Sequence, residues 1–283
     1  MSAAFREVEA GGLFWRVFGL QGAEPHREYQ RSTSPPLLIL HGLFGAGDNW
    51  RSHAEALSQD RLVLVPDMPN HGRSRHIENM KFDAVARELW NALDALAETL
   101  GIESPVYALL GHSMGGKAAM AMAFHDPPRT DRLISADIAP REYPPSHEQI
   151  FSAMEQVARA GIHRRSDADH IMAEQIPTKA VRMFLLKSLV RDAASETYQW
   201  QLNVDGLRNS YDDIRAWPFH HERYEGPALF IAGEDSPYIR PGDTGAIERH
   251  FPDSHLETIP AVGHWLHVEN REAFLALVSD FLS

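Results

Sequence analysis

The sequence predicts an α/β fold: a doubly wound, mostly parallel sheet with a helical cap inserted between two of its strands. Three observations lead to this prediction. Short continuous apolar runs recur along the chain, and each ends abruptly at a turn-forming or polar residue. Segments with helical periodicity separate these runs, and one long region contains helical patterns only. Strands that alternate with helices are typical of a parallel sheet with helices on both faces.

The predicted strands begin with a pair around the Gly11-Gly12 turn, where apolar and polar residues roughly alternate. A polar stretch from Glu24 to Ser34 is predicted to be a surface loop. The later runs are unbroken, as expected of strands that are covered on both faces. They are Leu37–Leu40, Leu62–Val65, Val106–Leu110, Leu133–Ile138 and Ala228–Ile231, and a last strand-like run is Leu256–Ile259.

Helices are predicted between the strands. The clearest is Phe82–Leu100, because Val85, Leu89, Leu93 and Leu96 follow one another at spacings of three and four. The others are Trp50–Leu57, Gly115–Phe124, Ala246–His250 and a closing helix, Arg271–Leu282.

The region from Tyr143 to Trp217 has no strand pattern and is too long for a simple connection in a compact sheet protein. We interpret residues 143–217 as an inserted helical cap, or lid, and residues 1–142 and 218–283 as the core. Its predicted helices are Gln149–Ala160, Ala168–Gln175 and Lys179–Val190.

Composition excludes several function classes. The chain of 283 residues has 27 Lys and Arg against 39 Asp and Glu. The resulting net charge of −12 disfavours nucleic acid and anionic membranes as binding partners. The absence of cysteine excludes a disulfide scaffold, a Cys-ligated zinc and a thiol nucleophile. No run approaches the roughly 20 apolar residues of a transmembrane helix, and the N-terminus lacks the apolar core of a signal peptide. We expect no membrane insertion, a cytoplasmic location and a monomer or small homo-oligomer.

A G-x-S-x-G motif, Gly111-His112-Ser113-Met114-Gly115, carries the strongest chemical signal. It follows an apolar strand and opens a predicted helix, so its glycines allow the sharp turn that exposes a nucleophilic serine. The unpaired N–H groups of the helix N-terminus lie where negative charge would develop. We therefore predict Ser113 to be the nucleophile.

A serine nucleophile needs a base, and the base needs an acid that orients it. His264 follows the last strand-like run, at the sheet edge where Ser113 is expected. Asp137 lies at the end of the strand after the nucleophile helix, and Asp235 follows the next strand, so the order Ser, Asp, His holds for either. The spacing alone does not decide which of the two aspartates is the acid that orients His264.

The turn His41–Gly45 follows the first buried strand. Acyl transfer requires two N–H donors that face the developing oxyanion. The backbone N–H of Leu43, or that of Phe44, is predicted to act together with that of Met114.

Other clusters are weaker candidates. Residues 163–170 combine histidine and aspartate at spacings compatible with a metal, although a charged surface of the cap explains them better and we expect no metal. Five cations could meet the phosphates of an acyl-CoA, although a solvated surface is the default interpretation: Lys117, Arg73, Arg75, Arg182 and Lys187. Eight apolar residues of the cap could line an acyl pocket, although such residues more often hold helices together: Met154, Met172, Met183, Phe184, Leu185, Leu186, Trp200 and Trp217.

Taken together, the chain resembles an α/β-hydrolase over nearly its whole length. The resemblance is carried by HGLFGAGDNW (41–50), DMPNHGRS (67–74), GHSMGG (111–116) and GHW (263–265). GHSMGGKAAM, SADIAP, FLLKSL and SPYI resemble a narrower branch, that of small bacterial serine esterases and their mitochondrial abhydrolase relatives. The branch places its triad acid in a DIAP-like element, which implies Asp137. The wider superfamily places it where Asp235 stands, a position at which the branch often has Asn.

The resemblance implies hydrolysis of carboxylic esters through a serine acyl-enzyme, without a metal or organic cofactor, on a small-molecule acyl ester. The same residues also fit an acyl-CoA thioesterase, or a carbon–carbon bond hydrolase or lyase. A ligand-binding module that has lost catalysis is a weaker alternative, because none of the expected machinery is missing.

Overall fold

A computed structural model describes residues 5–19, 34–102 and 106–283 of the chain, in which ten strands occur. The predicted surface loop, apart from Ser34, lies outside the described residues. In chain order the strands are β1 (Phe5–Ala10), β2 (Leu13–Phe18), β3 (Leu37–Leu40), β4 (Val63–Pro66), β5 (Tyr107–His112), β6 (Thr130–Ala136), β7 (Leu189–Arg191), β8 (Tyr198–Trp200), β9 (Ala228–Gly233) and β10 (Ser254–Ile259).

Eight strands form one sheet in the order β1-β2-β4-β3-β5-β6-β9-β10. β2 pairs antiparallel with β1 and with β4, and the other neighbours in this sheet are parallel. The predicted doubly wound, mostly parallel α/β sheet is confirmed. Because the parallel strands share one direction, the loops that follow β3, β5, β6, β9 and β10 meet at one edge of the sheet.

The α-helices of the described residues are α1 (Arg51–Leu57), α2 (Phe82–Leu100), α3 (Met114–His125), α4 (Glu148–Ala160), α5 (Arg165–Ala173), α6 (Lys179–Leu185), α7 (Val204–Asn209), α8 (Tyr211–Arg215), α9 (Thr244–His250), α10 (Leu266–Glu269) and α11 (Arg271–Leu282). α2 buries its apolar stripe and ends at Leu100, and the residue that caps it, Gly101, has a left-handed φ of 68° that suits glycine.

Two apolar cores lie on opposite faces of the sheet. Leu38 and Leu40 of β3 belong to a core with α2 and α3, whereas Leu37 and Ile39 belong to a core with α1 and α11. Successive side chains of a strand point to opposite faces, so a strand covered on both faces has a continuous apolar run.

Between β6 and β9 the chain leaves the sheet and forms α4 to α8 together with the β7–β8 hairpin. The prediction that this region has no strands is wrong. The predicted helix Lys179–Val190 ends at Leu185, and after one 3₁₀ turn Leu189 pairs antiparallel with Trp200. Strands of three residues are too short to show a period of two, and their pairing depends on residues about ten positions apart.

The inserted segment packs over the edge of the sheet where the parallel strands end. The ring of Phe44, in the loop after β3, lies 5.1 Å from the ring of Phe151 on α4. The N–H of Asn203 donates to the Asn70 carbonyl at 2.9 Å. Within the described ranges, no helix combines the length and apolar character needed to cross a membrane.

Candidate active site

Ser113 occupies a sharp turn between β5 and α3, with φ 54° and ψ −120°. A non-glycine residue adopts such a conformation only where its surroundings enforce it, at a cost of about 1–3 kcal/mol. The turn is tight: a Cβ on Gly111 would lie 2.1 Å from the carbonyl oxygen of Gly115, and one on Gly115 would lie 2.2 Å from that of Leu40. The turn leaves Ser113 half-buried, beside a cavity at the carboxyl edge of the sheet.

Asp137, directly after β6, contacts His264, which follows β10. The Asp137 Oδ2 atom lies 2.7 Å from Nδ1 of His264. The aspartate is fully buried and the imidazole is 25% exposed. Asp137 also accepts hydrogen bonds from the Gly233 N–H at 3.1 Å and from the hydroxyl of Ser236. Three donors therefore satisfy a carboxylate that burial alone would destabilise.

Asp235, the other candidate acid, is exposed. Its backbone N–H donates to the Val262 carbonyl at 2.9 Å, and its carboxylate forms no hydrogen bond or ion pair with a described residue. Of the two candidates, the structure brings only Asp137 to His264.

Two rings flank the imidazole of His264. Tyr238 stacks on it with a centroid distance of 3.8 Å and an interplanar angle of 16°. His112 lies 4.7 Å away on centroids, and burial lowers its pKa to about 3. His112 is therefore neutral, and its Nε2–H donates to the His264 carbonyl at 2.8 Å. Sequence reasoning assigned no role to His112, Ser236 or Tyr238, although SPYI follows a strand that ends at this edge.

The loop after β3 contains the two amides predicted as alternative oxyanion donors, those of Leu43 and Phe44. The Phe44 N–H donates to Nε2 of His71 at 3.1 Å. The N–H groups of Leu43 and Met114 have no acceptor among the described residues. A Cβ on Gly42 would lie 3.3 Å from the Cβ of Ser113, so this loop approaches the serine closely. The geometry therefore favours Leu43 over Phe44 as the free donor.

Two buried histidines hold this loop. Burial and the neighbouring His41 lower the pKa of His71 to about 3, and burial lowers the pKa of His41 as well. In His71, Nδ1–H donates to the Pro69 carbonyl at 2.9 Å, which leaves Nε2 to accept the Phe44 N–H. In His41, Nδ1–H donates to the Gly42 carbonyl at 2.8 Å, and Nε2 accepts the Met68 N–H at 2.9 Å.

A cavity of about 150 Å³ adjoins Ser113. Leu43, Met114 and Ile138 line it from the core side. Residues from the loop after β9 and from the inserted segment complete the wall, and they include Tyr143, His147, Tyr211, Ile214, Pro237 and Tyr238. None of the eight apolar residues suggested as pocket lining contributes to this wall.

Lys117 also lines this cavity, and the prediction that it lies on a solvated surface is wrong. Only 1% of the residue is exposed, because the inserted segment covers this part of α3. Its ammonium donates to the carbonyls of Arg215 and Ala216 at 2.8 and 2.9 Å. Arg182 is likewise buried and pairs with Asp169 at 2.7 Å.

The remaining cations and the metal candidate lie elsewhere. Arg73 pairs with Glu7 and Glu9, and Arg75 with Glu88. In the part of the chain that the structure describes, no group of three or more His, Asp or Glu side chains is arranged to hold a metal ion, residues 163–170 included.

A family model described as the alpha/beta hydrolase fold matches residues 35–271, which is more than half of the chain. The chain belongs to the α/β-hydrolase family. The sn-1-specific diacylglycerol lipase ABHD11 of Xenopus tropicalis is 36% identical to it over 259 residues, which cover 89% of this α/β-hydrolase and 79% of the relative. The esterase YbfF of Escherichia coli is 34% identical over 252 residues, covering 89% of this chain and 94% of the relative.

A solved structure of a marine microorganism esterase resembles this α/β-hydrolase with a TM-score of 0.83 and 34% identity, covering 95% of this chain and 98% of that one. These similarities confirm the predicted resemblance to the branch that contains bacterial esterases and abhydrolase-domain proteins.

Proposed function

We propose that this α/β-hydrolase is a serine carboxylesterase in which Ser113 is the nucleophile, His264 the base and Asp137 the acid. The observation that carries the proposal is the 2.7 Å contact between Asp137 and His264, at the sheet edge where the strained turn presents Ser113. The relatives named as esterases and a lipase support hydrolysis of ester bonds as the reaction class.

In the proposed reaction, Oγ of Ser113 attacks the ester carbonyl carbon while Nε2 of His264 takes the hydroxyl proton. The negative charge that develops on the carbonyl oxygen accepts hydrogen bonds from the N–H groups of Leu43 and Met114. The C–O bond to the alcohol then breaks, and His264 returns the proton to the leaving oxygen. Water attacks the acyl-enzyme by the same route and releases the acid.

Asp137 supports this sequence through Nδ1 of His264. By accepting the Nδ1–H, it keeps Nε2 unprotonated and facing the serine, and it stabilises the imidazolium that forms. We propose residues 143–217 as the cap that closes the cavity over the acyl group, and residues 1–142 and 218–283 as the core.

Hydrolysis of 4-nitrophenyl esters from acetate to palmitate tests the reaction class. A cavity of about 150 Å³ is comparable to one that accepts a benzene ring, so short acyl chains should fit best. We expect kcat/KM for the butyrate to exceed that for the palmitate by at least about tenfold, since a pocket discriminates through the groups it can bury. Turnover of acyl-CoA thioesters with no turnover of any oxygen ester would contradict the proposal.

His71 should position the oxyanion loop without touching the substrate. His71→Leu removes the acceptor of the Phe44 N–H and frees a loop next to the Leu43 amide. We expect kcat to fall about tenfold to a hundredfold with a smaller change in KM, because a displaced donor weakens transition-state binding. The matched control is His76→Leu, which changes an exposed histidine in the loop after β4, the loop that also contains His71. An unchanged kcat in a folded His71→Leu variant would show that the loop holds its geometry without this hydrogen bond.

A further inference from the structure

The cavity beside Ser113 has an uneven distribution of charge. Three cationic side chains line it, Lys117, Arg215 and Arg240, and among the described residues no carboxylate does. The rest of the wall is largely apolar or aromatic. This excess of cations contrasts with the net charge of −12 of the whole chain.

Lys117 is a buried residue of the cavity wall and has no counter-ion among the described residues. An ammonium has three N–H donors, and two of them go to the neutral carbonyls of Arg215 and Ala216. Among the described residues, no carboxylate lies within the 4.0 Å of an ion pair. A buried charge without a partner is costly, and burial accordingly lowers the pKa of Lys117 to about 7. Arg141 and Arg215 lower this pKa further, and Glu142 opposes them.

The neighbouring groups do not supply the missing negative charge. The guanidinium of Arg215 is paired with Glu142 and with Asp212. Burial raises the pKa of Tyr143, so its hydroxyl stays neutral, and burial lowers the pKa of His147 to about 4. Arg240, at the exposed rim, has no carboxylate within ion-pair distance among the described residues and adds to the positive field.

We propose that the acyl portion of the substrate carries a carboxylate that binds to the ammonium of Lys117. This inference rests on the proposed esterase function. The preferred substrates would then be monoesters of short dicarboxylic acids. Ser113 and Lys117 are four residues apart, before and within the first turns of α3, and both line the same cavity of about 150 Å³, so the two side chains are separated by only a short distance. An acyl chain with a few methylene groups between its two carboxyl carbons spans such a distance.

A pair of isosteric esters tests this inference. Mono-4-nitrophenyl glutarate carries the terminal carboxylate, and 4-nitrophenyl 5-methylhexanoate replaces it with a neutral group of the same shape. The readout is the ratio of kcat/KM for the anionic ester to that for the neutral ester, so a general loss of activity cancels.

Lys117→Gln removes the charge and keeps two N–H donors for the carbonyls of Arg215 and Ala216. We expect this variant to lower the ratio at least about tenfold, because one charge-assisted hydrogen bond to the substrate is lost. Arg249→Gln removes one exposed cation of α9 and should leave the ratio unchanged.

The pH dependence of the ratio in the unmodified protein gives an independent test. Lys117 is charged below its pKa and neutral above it, so the ratio should fall as the pH rises from 7 to 9. Any ionisation that affects the hydrolysis of both esters equally cancels in the ratio. This series decides the question even where Lys117→Gln does not fold.

A ratio that is independent of pH, or equal in Lys117→Gln and the unmodified protein, would contradict the proposal that Lys117 binds a carboxylate of the substrate. It would not contradict the esterase function. Failure of the unmodified protein to hydrolyse either ester would count against the esterase function itself, and this inference would fall with it.

Discussion

Ser113→Ala should reduce kcat for 4-nitrophenyl butyrate by about 10⁵-fold to 10⁶-fold, the loss expected when the nucleophile of a serine hydrolase is removed. The variant lacks the oxygen that we propose forms the acyl-enzyme. The residual rate should come from the amides of Leu43 and Met114, which can still polarise the ester carbonyl.

The fold should survive this substitution. Alanine has the same backbone restrictions as serine at φ 54°, and no side-chain hydrogen bond of Ser113 to a described residue is lost. Ser52→Ala, at an exposed position of α1, is the matched control and should keep full activity. A Ser113→Ala variant that folds normally and retains more than a few per cent of the activity would contradict an acyl-enzyme at this residue.

Asp137→Asn should lower kcat by about 10⁴-fold, whereas Asp235→Asn should change it by less than about threefold. The Gly233 N–H donates to Oδ1 of Asp137, whereas the Ser236 hydroxyl and Nδ1 of His264 both lie at Oδ2. We therefore expect the amide oxygen of the variant to take the Oδ1 position, where it keeps the Gly233 N–H. Its NH₂ group would then face Nδ1 of His264. An imidazole that accepts at Nδ1 carries its proton on Nε2 and cannot act as the base.

The comparison of the two Asn variants is internally controlled, because both remove one carboxylate at the same edge of the sheet. Steady-state kinetics and thermal unfolding should be measured together, so that loss of fold is separated from loss of the base. A larger loss in Asp235→Asn than in Asp137→Asn would contradict the assignment and imply that His264 changes partner during turnover.

The sequence was sufficient to predict the sheet, and it also predicted which residues should meet at its carboxyl edge. Apolar runs such as Leu37–Leu40 identify strands covered on both faces, and the residues after such strands must meet at one edge. This reasoning predicts that Ser113 and His264 lie at the same edge. It left Asp137 and Asp235 equivalent, because each follows a parallel strand.

What separates these two aspartates is conformation. Asp137 has a φ of 52°, and its buried carboxylate meets His264, whereas Asp235 lies in an exposed turn. Spacing carries no information about such a difference. The choice between Leu43 and Phe44 likewise depends on His71, far along the chain, which takes the Phe44 N–H.

Lys117 shows a different limit of sequence reasoning. Lysine is usually exposed, so its position on a helix indicates a solvated face. Its burial results from the inserted segment, whose carbonyls at Arg215 and Ala216 lie almost a hundred residues later. The β7–β8 hairpin was missed because each strand has only three residues.

Covalent labelling tests most directly whether Ser113 is an activated nucleophile, as we propose. The unmodified protein should be incubated with a fluorophosphonate, digested and analysed by mass spectrometry. We predict one adduct per chain, on Ser113, with labelling abolished in Ser113→Ala and slowed by orders of magnitude in Asp137→Asn. An adduct on another serine, or no adduct on the folded protein, would contradict the account.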